Sequence, residues 1–348
     1  MVAMHRSLAL LPLIFAARVL FAFEFGAYVP HYRLGLTPGA ENSLGRASWD
    51  PSPHPWDGRL AADRAPRALP GHWSEGSWSR RLGGTFGTLY LHIPLDADFL
   101  DGNAPDPRQV SFLRSVVGEG NTRIFLSLIG TSSEYMPLAE EESARRELAE
   151  VIASVCEASD MDGFDLDWEF SSAPRSAERE VIKALAEELR GALPRGTVLS
   201  AAVSRWRLPE KGFFEAVDEV HLMAYDGGGR HATYESAVAD AEAVLARTKI
   251  PPNKILLGLP FYGRDYRPDS PEYWIKAKSY AEIADEFDPL GTDDEAGGFA
   301  FNGPGTIGRK TDWAAEKGLG GVFVWEPFQD AKGAGSLSEA LRAARIEN

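Results

Sequence analysis

The sequence is poor in cysteine, in basic charge and in long apolar runs, and each shortage excludes a class of protein. Its one cysteine, Cys156, rules out an internal disulfide framework. Lys and Arg number 36 against 51 Asp and Glu, which gives a formal net charge of −15. Such an acidic surface repels phosphate backbones, so no nucleic-acid partner is expected. No segment beyond the N-terminus is long and apolar enough for stable membrane insertion.

The N-terminus has the composition of a secretory signal peptide. A weakly basic start is followed by an apolar stretch from Leu8 to Leu20 and by a possible cleavage site at Ala22. We therefore expect residues 1–22 to be a signal peptide and the protein to be secreted or periplasmic. The remaining residues, 23–348, are expected to form one catalytic domain.

Short β-rich runs alternate with amphipathic helical stretches along the rest of the chain. The eight predicted strands are Phe25–Val29, Thr88–Ile93, Thr122–Leu128, Met161–Trp168, Val198–Val203, Glu219–Ala224, Ile255–Leu259 and Gly321–Trp325. The clearest predicted helices are Glu140–Ala158, Ser176–Ala192, Tyr234–Thr248 and Gly305–Lys317. This alternation indicates an α/β protein with a parallel sheet covered by helices. Eight such units favour a single (β/α)8 TIM barrel.

An open, doubly wound sheet is the alternative architecture. Such folds usually carry a glycine-rich phosphate loop after the first strand, and the segment Pro30–Arg33 is not one. The connection from His31 to Gly84 is unusually long and has no sustained periodicity, so we expect it to decorate the catalytic face rather than to act as a linker.

Three carboxylates alternate with apolar residues on the fourth predicted strand. Because side chains on a strand alternate between its faces, Asp165, Asp167 and Glu169 share one face. In a barrel that face points inward, where branched aliphatic residues are the rule. Two alternatives are open for these acids. They would lie on a solvated strand face, or they would bind Mg²⁺ or Ca²⁺ through their oxygens.

Catalysis is the use that we favour. Carboxylates crowded into a partly enclosed site cannot all ionise freely, so at least one should hold its proton near neutral pH. A protonated carboxylic acid beside ionised ones is what glycosidic bond cleavage requires. Glu169 has the longest side chain and sits at the C-terminal end of the strand, where barrel active sites lie, so it is the predicted general acid.

The segment Asp162–Glu169 resembles the D-G-x-D-x-D-x-E signature of glycoside hydrolase family 18, which holds chitinases and endo-β-N-acetylglucosaminidases. The likeness continues in order along the chain, in Met223–Asp226, Gly258–Arg264 and Gly320–Glu326. The resemblance implies a retaining hydrolase of β-1,4 bonds in N-acetylglucosamine glycans, chitin or chitooligosaccharides above all. The substrate's own 2-acetamido group would be the nucleophile. It implies no cofactor and no metal, and we expect a monomer.

The resemblance also assigns roles around the acid. Glu169 would protonate the scissile oxygen, Asp167 would orient the acetamido group, and Asp165 would stabilise Asp167, with Ser127 as a hydrogen-bond partner. The remaining implied roles concern the sugar at the cleavage point. Tyr225 and Asp226 would hold its acetamido group, Trp325 would form the floor beneath it, and Met223, Tyr262 and Arg264 would line the same subsite.

Two departures from the family pattern stand out. The third-strand pattern S-x-G-G reads Ser127-Leu128-Ile129-Gly130, so a branched residue replaces a glycine. After the seventh strand, deep-groove members insert a small α+β domain. The stretch between Arg264 and Trp313 is short for such a domain plus a helix, so we expect no sizeable insertion and an open cleft.

Other functions stay open at this stage. A lectin-like relative would keep the barrel and bind glycan without cleaving it, but such proteins usually lose the acid that Glu169 supplies here. Among enzymes, peptidoglycan strands and the chitobiose core of N-glycans offer the same acetamido chemistry as chitin. Endo or exo action is not indicated by the sequence.

Overall fold

The computed structural model describes residues 23–34, 82, 84–117, 121–170, 174–270 and 276–347. The predicted signal peptide and most of the 31–84 connection lie outside these residues. The strands of the described segments are β1 (Glu24–Pro30), β2 (Thr88–Pro94), β3 (Arg123–Thr131), β4 (Gly163–Glu169), β5 (Val198–Val203), β6 (Glu219–Leu222), β7 (Ile255–Pro260), β8 (Tyr262–Asp265), β9 (Ala277–Ser279), β10 (Glu295–Ala296), β11 (Phe299–Ala300) and β12 (Gly321–Trp325).

Helices follow most of the barrel strands. The α-helices of the described segments are α1 (Ala97–Leu100), α2 (Pro107–Val117), α3 (Ser132–Ala139), α4 (Glu142–Ala158), α5 (Ser176–Ala192), α6 (Phe213–Ala216), α7 (Tyr234–Thr248), α8 (Tyr280–Phe287), α9 (Pro304–Glu316) and α10 (Leu337–Glu347). Short 3-10 turns span His31–Leu34, Pro252–Lys254, Pro327–Gln329 and Gly333–Gly335. The long helices bury one stripe each, as α5 does through Val181, Leu185 and Leu189, four residues apart.

Eight parallel strands close into a barrel in the order β1-β12-β7-β6-β5-β4-β3-β2. Strand β1 pairs with β2 on one side and with β12 on the other, which closes the ring. The predicted (β/α)8 architecture is therefore confirmed, and all eight predicted barrel strands are present. No helix among the described residues is long and apolar enough to span a bilayer.

The barrel has two apolar layers. The larger one lies between the strands and the surrounding helices, and it contains Phe164, Leu166 and Trp168 of β4. The smaller one fills the barrel interior and is built from Tyr28, Tyr90, Phe125, Leu256 and Phe323. The opposite face of β4, with its three carboxylates, is thus directed towards the interior, as strand alternation predicts.

A small α+β unit interrupts the barrel between β7 and β12. It consists of an antiparallel sheet in the order β10-β11-β8-β9 together with helix α8. The described residues of this segment hold no sizeable insertion domain, but they do form a small α+β unit, so the expectation that the segment is too short for a small α+β domain plus a helix was wrong. Its strands are two to four residues long, so the whole unit fits within residues 262–300 and shows no sequence periodicity.

Candidate active site

Strand β4 carries the three predicted carboxylates at successive levels of the barrel. Its register with β3 pairs Asp165 with Ser127, Asp167 with Ile129, and Glu169 with Thr131. Asp165 is fully buried, Asp167 nearly so, and Glu169 is half-buried at the C-terminal mouth. The ladder therefore runs from the barrel centre to the solvent.

Asp165 lies at the bottom of the ladder in a dense polar cluster. Tyr28 donates its hydroxyl to Oδ2 at 2.8 Å, and Ser127 donates to the same oxygen at 2.7 Å. Ser200 donates to Oδ1 at 2.7 Å, and Nδ1 of His221 lies 3.1 Å from Oδ1. Ile129 therefore does not prevent the contact between Ser127 and Asp165 that the sequence suggests.

His221 and Asp165 form a buried ion pair. Burial alone would raise the pKa of Asp165, but the attraction of His221 and the surrounding hydrogen bonds outweigh it and hold that pKa below its ordinary value. Burial lowers the pKa of His221, yet Asp165 and Glu219 outweigh this effect and raise it to about 9. At neutral pH the imidazole is therefore charged and Asp165 is ionised.

The pKa values of the upper two carboxylates, Asp167 and Glu169, shift in the opposite direction. Burial, with repulsion from Glu169 and Asp165, raises the pKa of Asp167 well above its ordinary value. Burial, with repulsion from Asp226, raises the pKa of Glu169 to about 7, and the positive charge of Arg207 opposes this shift. Oδ1 of Asp167 is buried and has no hydrogen-bond partner within the described part of the protein. In the ladder, Asp165 is thus ionised, while the pKa values of Asp167 and Glu169 are raised and linked by repulsion, so that a proton on Glu169 favours ionisation of Asp167.

His92 is a buried, uncharged neighbour of Asp167. Its Nε2 lies 3.9 Å from Oδ2 of Asp167, and its Nδ1 is 3.0 Å from the Ser127 hydroxyl. Burial lowers the pKa of His92 to about 3, so the ring is neutral near pH 7. It can hydrogen-bond to its neighbours but does not neutralise Asp167.

Asp226 is held by the small α+β unit. It has a left-handed backbone, with φ of 57°, and receives two hydrogen bonds from Arg264 of β8, at 2.5 Å and 2.7 Å. Nδ1 of His231 lies 3.3 Å from the same carboxylate. Burial opposes ionisation, but the charge and hydrogen bonds of Arg264, with the contact from His231, outweigh it, and the pKa of Asp226 falls well below its ordinary value. Asp226 is therefore an ionised neighbour of Glu169.

Aromatic rings form the remaining walls. The Trp325 ring packs against Tyr28 and His92, with centroids 5.8 Å and 5.0 Å away. Tyr225 makes an edge contact with Tyr262 at 6.4 Å. A Cβ atom at Gly258 would lie 2.7 Å from the Tyr225 ring, so the glycine on β7 makes room for this tyrosine.

A cavity of about 230 Å³ opens at the mouth of the barrel beside Glu169. Its lining includes Met223, Tyr225 and Asp226, and it also includes residues of the loop after β5, namely Ser204, Arg205, Trp206, Arg207 and Pro209. No group of three or more His, Cys, Asp or Glu side chains in the described segments is arranged to hold a metal ion.

Of the sequence-predicted residues, Ser127 and Asp165 lie at the barrel centre, while Glu169, Met223, Tyr225 and Asp226 line the cavity at its mouth. Tyr262 and Arg264 belong to β8 of the small sheet rather than to the seventh barrel strand, because β7 ends at Pro260.

Sequence reasoning missed several residues that surround the ladder. These are Tyr28, His92, Ser200 and His221 near its base and Arg207 near Glu169. A polar residue flanked by apolar ones on a buried strand, as in Val220-His221-Leu222, was the available signal.

Comparison with known proteins identifies the family of the chain. Residues 108–330 match the family model described as Glycosyl hydrolases family 18. The chain belongs to glycoside hydrolase family 18. Chitinase 1 of Aphanocladium album is 27% identical over 272 residues, which are 62% of this chain and 64% of that protein. The chain therefore spans less than two thirds of the length of this relative.

Solved structures of family 18 share the fold. A chitinase from Bacteroides thetaiotaomicron superimposes with a TM-score of 0.67 at 23% identity, over 76% of this chain and 89% of that chain. A plant class V chitinase mutant from Cycas revoluta, solved in complex with (GlcNAc)3, has a TM-score of 0.67 at 19% identity, over 92% and 99% of the two chains. At these identities the likeness establishes the barrel and not the substrate.

Proposed function

We propose that the protein is a retaining glycoside hydrolase that cleaves β-1,4 bonds in N-acetylglucosamine glycans. The observation that carries this proposal is the carboxylate ladder, in which the pKa of Asp165 is lowered while the pKa values of Asp167 and Glu169 are raised. A carboxylic acid with a pKa of about 7 at the mouth of a barrel is suited to donate a proton to a leaving oxygen.

In the proposed first step, Glu169 donates its proton to the glycosidic oxygen as the bond from that oxygen to the anomeric carbon breaks. The 2-acetamido carbonyl oxygen of the same sugar forms the new bond to the anomeric carbon, which gives an oxazolinium ion. Asp167 supports this step because its buried Oδ1 can accept the acetamido N–H, and its negative charge balances the cation. Asp165, one level below, is proposed to stabilise the position of Asp167.

In the second step, water attacks the anomeric carbon. The bond from that carbon to the acetamido oxygen breaks, which opens the oxazolinium ring and restores the acetamido group. Glu169, now ionised, takes the proton from that water and returns to its starting state. The two inversions at one carbon retain the configuration. Tyr225, Asp226 and Trp325 are proposed to hold the sugar, with Met223, Tyr262 and Arg264 lining the same subsite.

Chitin and chitooligosaccharides are the proposed substrates, since Aphanocladium album chitinase 1 carries that activity in its name and the Cycas revoluta chitinase was solved with (GlcNAc)3. Mass spectrometry of products from chitotetraose, peptidoglycan and an N-glycan glycopeptide would separate the three substrate classes. Cleavage of peptidoglycan or of the glycopeptide in preference to chitotetraose would overturn the substrate assignment. Residues 1–22 as a signal peptide and residues 23–348 as a single catalytic domain stay predictions.

Glu169→Gln tests the acid directly. The amide keeps the shape of the side chain but has no proton to donate, so kcat should fall by about 10²- to 10⁴-fold while chitotetraose still binds. Glu150→Gln, at an exposed position on α4, is the matched control and should behave as wild type. Retention of more than about a tenth of the activity by Glu169→Gln would show that another group donates the proton. A wild-type protein that binds chitotetraose but cleaves no substrate would instead be a lectin.

A further inference from the structure

The loop that leads from β6 to α7 carries Asp226 in an unusual backbone conformation. Four of its residues, Asp226, Gly228, Gly229 and His231, have left-handed φ angles between 40° and 85°. Glycine adopts such angles readily, whereas residues with a Cβ atom adopt them at a cost in free energy. Strain of this kind persists only where the surrounding contacts hold the backbone. The position of Asp226 therefore depends on the contacts that anchor this loop.

His231 connects the end of the loop to its beginning. Nδ1 of His231 lies 3.3 Å from Oδ1 of Asp226, and Nε2 lies 3.3 Å from the backbone carbonyl oxygen of Tyr262. The amide of Gly227, next to Asp226, donates a hydrogen bond to the carbonyl of His231 at 3.0 Å. A movement of the backbone at His231 would therefore displace Asp226 as well.

A buried lysine on α9 holds the residue that follows His231. Nζ of Lys310 donates to the backbone carbonyl of Ala232 at 2.8 Å and to Oδ1 of Asn302 at 2.7 Å. Nδ2 of Asn302 donates to the same carbonyl at 2.7 Å. All three residues are buried, and Lys310 is 0% exposed. We call Ala232, Asn302 and Lys310 together the Ala232 clamp.

Lys310 acts in this clamp through its hydrogen bonds rather than through its charge. Burying a lysine head group costs free energy unless its hydrogen bonds are satisfied. Burial lowers the pKa of Lys310 to about 7, although the negative charges of Asp294, Asp240 and Glu235 oppose this shift. A neutral amine still has two N–H groups, which are enough for the two acceptors of Lys310. The clamp therefore stays closed in both charge states of the lysine.

We propose that Lys310 is a positioning residue that fixes Asp226 beside Glu169. It acts through the Ala232 clamp and His231, and this inference rests on the function proposed above. Asp226 and Glu169 line the same cavity, and the repulsion between them contributes to the raised pKa of Glu169. Opening the clamp would let the strained loop relax and Asp226 move away. The Glu169 carboxyl would then lose part of this repulsion and release its proton more readily.

The test measures the protonation of Glu169 directly. Protein labelled with ¹³C at its glutamate carboxyl carbons is titrated by NMR, and Glu169→Gln identifies the signal of this residue. Lys310→Met occupies a similar volume but donates no hydrogen bond, so the pKa of Glu169 should fall below its wild-type value by about 0.3–1. The value of kcat/KM for chitotetraose should fall by about 3- to 30-fold, because Asp226 is no longer held in place.

Lys254→Met is the matched control. Lys254 also donates to two backbone carbonyls, those of Phe214 at 3.0 Å and Val217 at 2.6 Å. It directly precedes β7 and so lies at the N-terminal end of the barrel, away from the cavity. Its loss should lower stability to a similar extent as Lys310→Met but leave the pKa of Glu169 unchanged. A general loss of stability is thereby separated from a loss of positioning.

An unchanged pKa of Glu169 in Lys310→Met, or an equal fall in both lysine variants, would overturn the proposed role. If Lys310→Met does not fold, Asn302→Ala is judged by the same criterion, since it removes the other donor to the Ala232 carbonyl. If the wild-type protein cleaves no N-acetylglucosamine glycan, the proposed function fails. The NMR titration needs no turnover, so it still decides whether Lys310 positions Asp226.

Discussion

Replacing His221 by asparagine tests the ion pair at the base of the ladder. Asparagine keeps the approximate size of the side chain but removes the positive charge that faces Asp165. The buried carboxylate then loses its counter-charge, and breaking such a buried pair costs roughly 3–5 kcal/mol of unfolding free energy. Unlike an ordinary packing defect, this loss should depend on pH.

The direction of that dependence follows from the pKa of His221. It rises from 6.5 to about 9 on folding, which corresponds to roughly 3 kcal/mol. A group whose pKa is raised by folding contributes fully below its unfolded pKa and loses the contribution as pH rises through the folded value. The stability gap between wild type and the double variant His221→Asn/Asp165→Asn, which leaves no unpaired carboxylate at the base of the ladder, should therefore be largest at about pH 6 and shrink by a few kcal/mol by about pH 10.

Urea unfolding of both proteins across that pH range measures the gap. Other groups that titrate there, such as Lys310, occur in both proteins and cancel in the difference. Tyr28→Phe is the matched control, since it removes a hydrogen bond to Asp165 without removing a charge. Its cost of about 1–3 kcal/mol should not change with pH. A stability gap between wild type and the double variant that is equally independent of pH would refute the ion pair.

Two further predictions concern groups outside the ladder. Because the pKa of Glu169 is about 7, kcat/KM should fall above about pH 7. Arg207→Ala should move this fall to higher pH, because it removes the positive charge that opposes protonation of Glu169. An unchanged pH profile of kcat/KM would show that Arg207 does not influence the acid. Lys310 is fully buried and donates hydrogen bonds to the carbonyl of Ala232 and to Oδ1 of Asn302. Lys310→Met leaves these acceptors without a donor, so it should lower the unfolding free energy by about 1–3 kcal/mol. An unaltered melting temperature would contradict this prediction.

Local sequence periodicity was sufficient to predict the barrel and the ladder. Strand alternation alone places Asp165, Asp167 and Glu169 on one face, and the same rule sends Phe164 and Leu166 to the helix-facing layer. Each of these inferences needs only residues that are close in the sequence, which is why they are accurate.

The partners of the ladder could not be predicted in this way. Tyr28 and Asp165 are 137 residues apart, and Tyr28 and His221 are 193 apart, yet all three meet at the centre of the closed barrel. Their contacts depend on the register and tilt of strands on opposite sides of the ring, which no local pattern encodes. The small sheet at residues 262–300 was missed because its strands are too short to show a period.

The configuration of the first product tests the central claim most directly. If the substrate's acetamido group is the nucleophile and Glu169 the acid, hydrolysis of chitotetraose must release the β-anomer before mutarotation. Proton NMR recorded within minutes of mixing distinguishes the anomeric protons. We expect the β-signal to appear first and the α-signal to grow in later at the rate of spontaneous mutarotation. An α-anomer in the earliest spectra would mean direct attack by water, and it would contradict the mechanism.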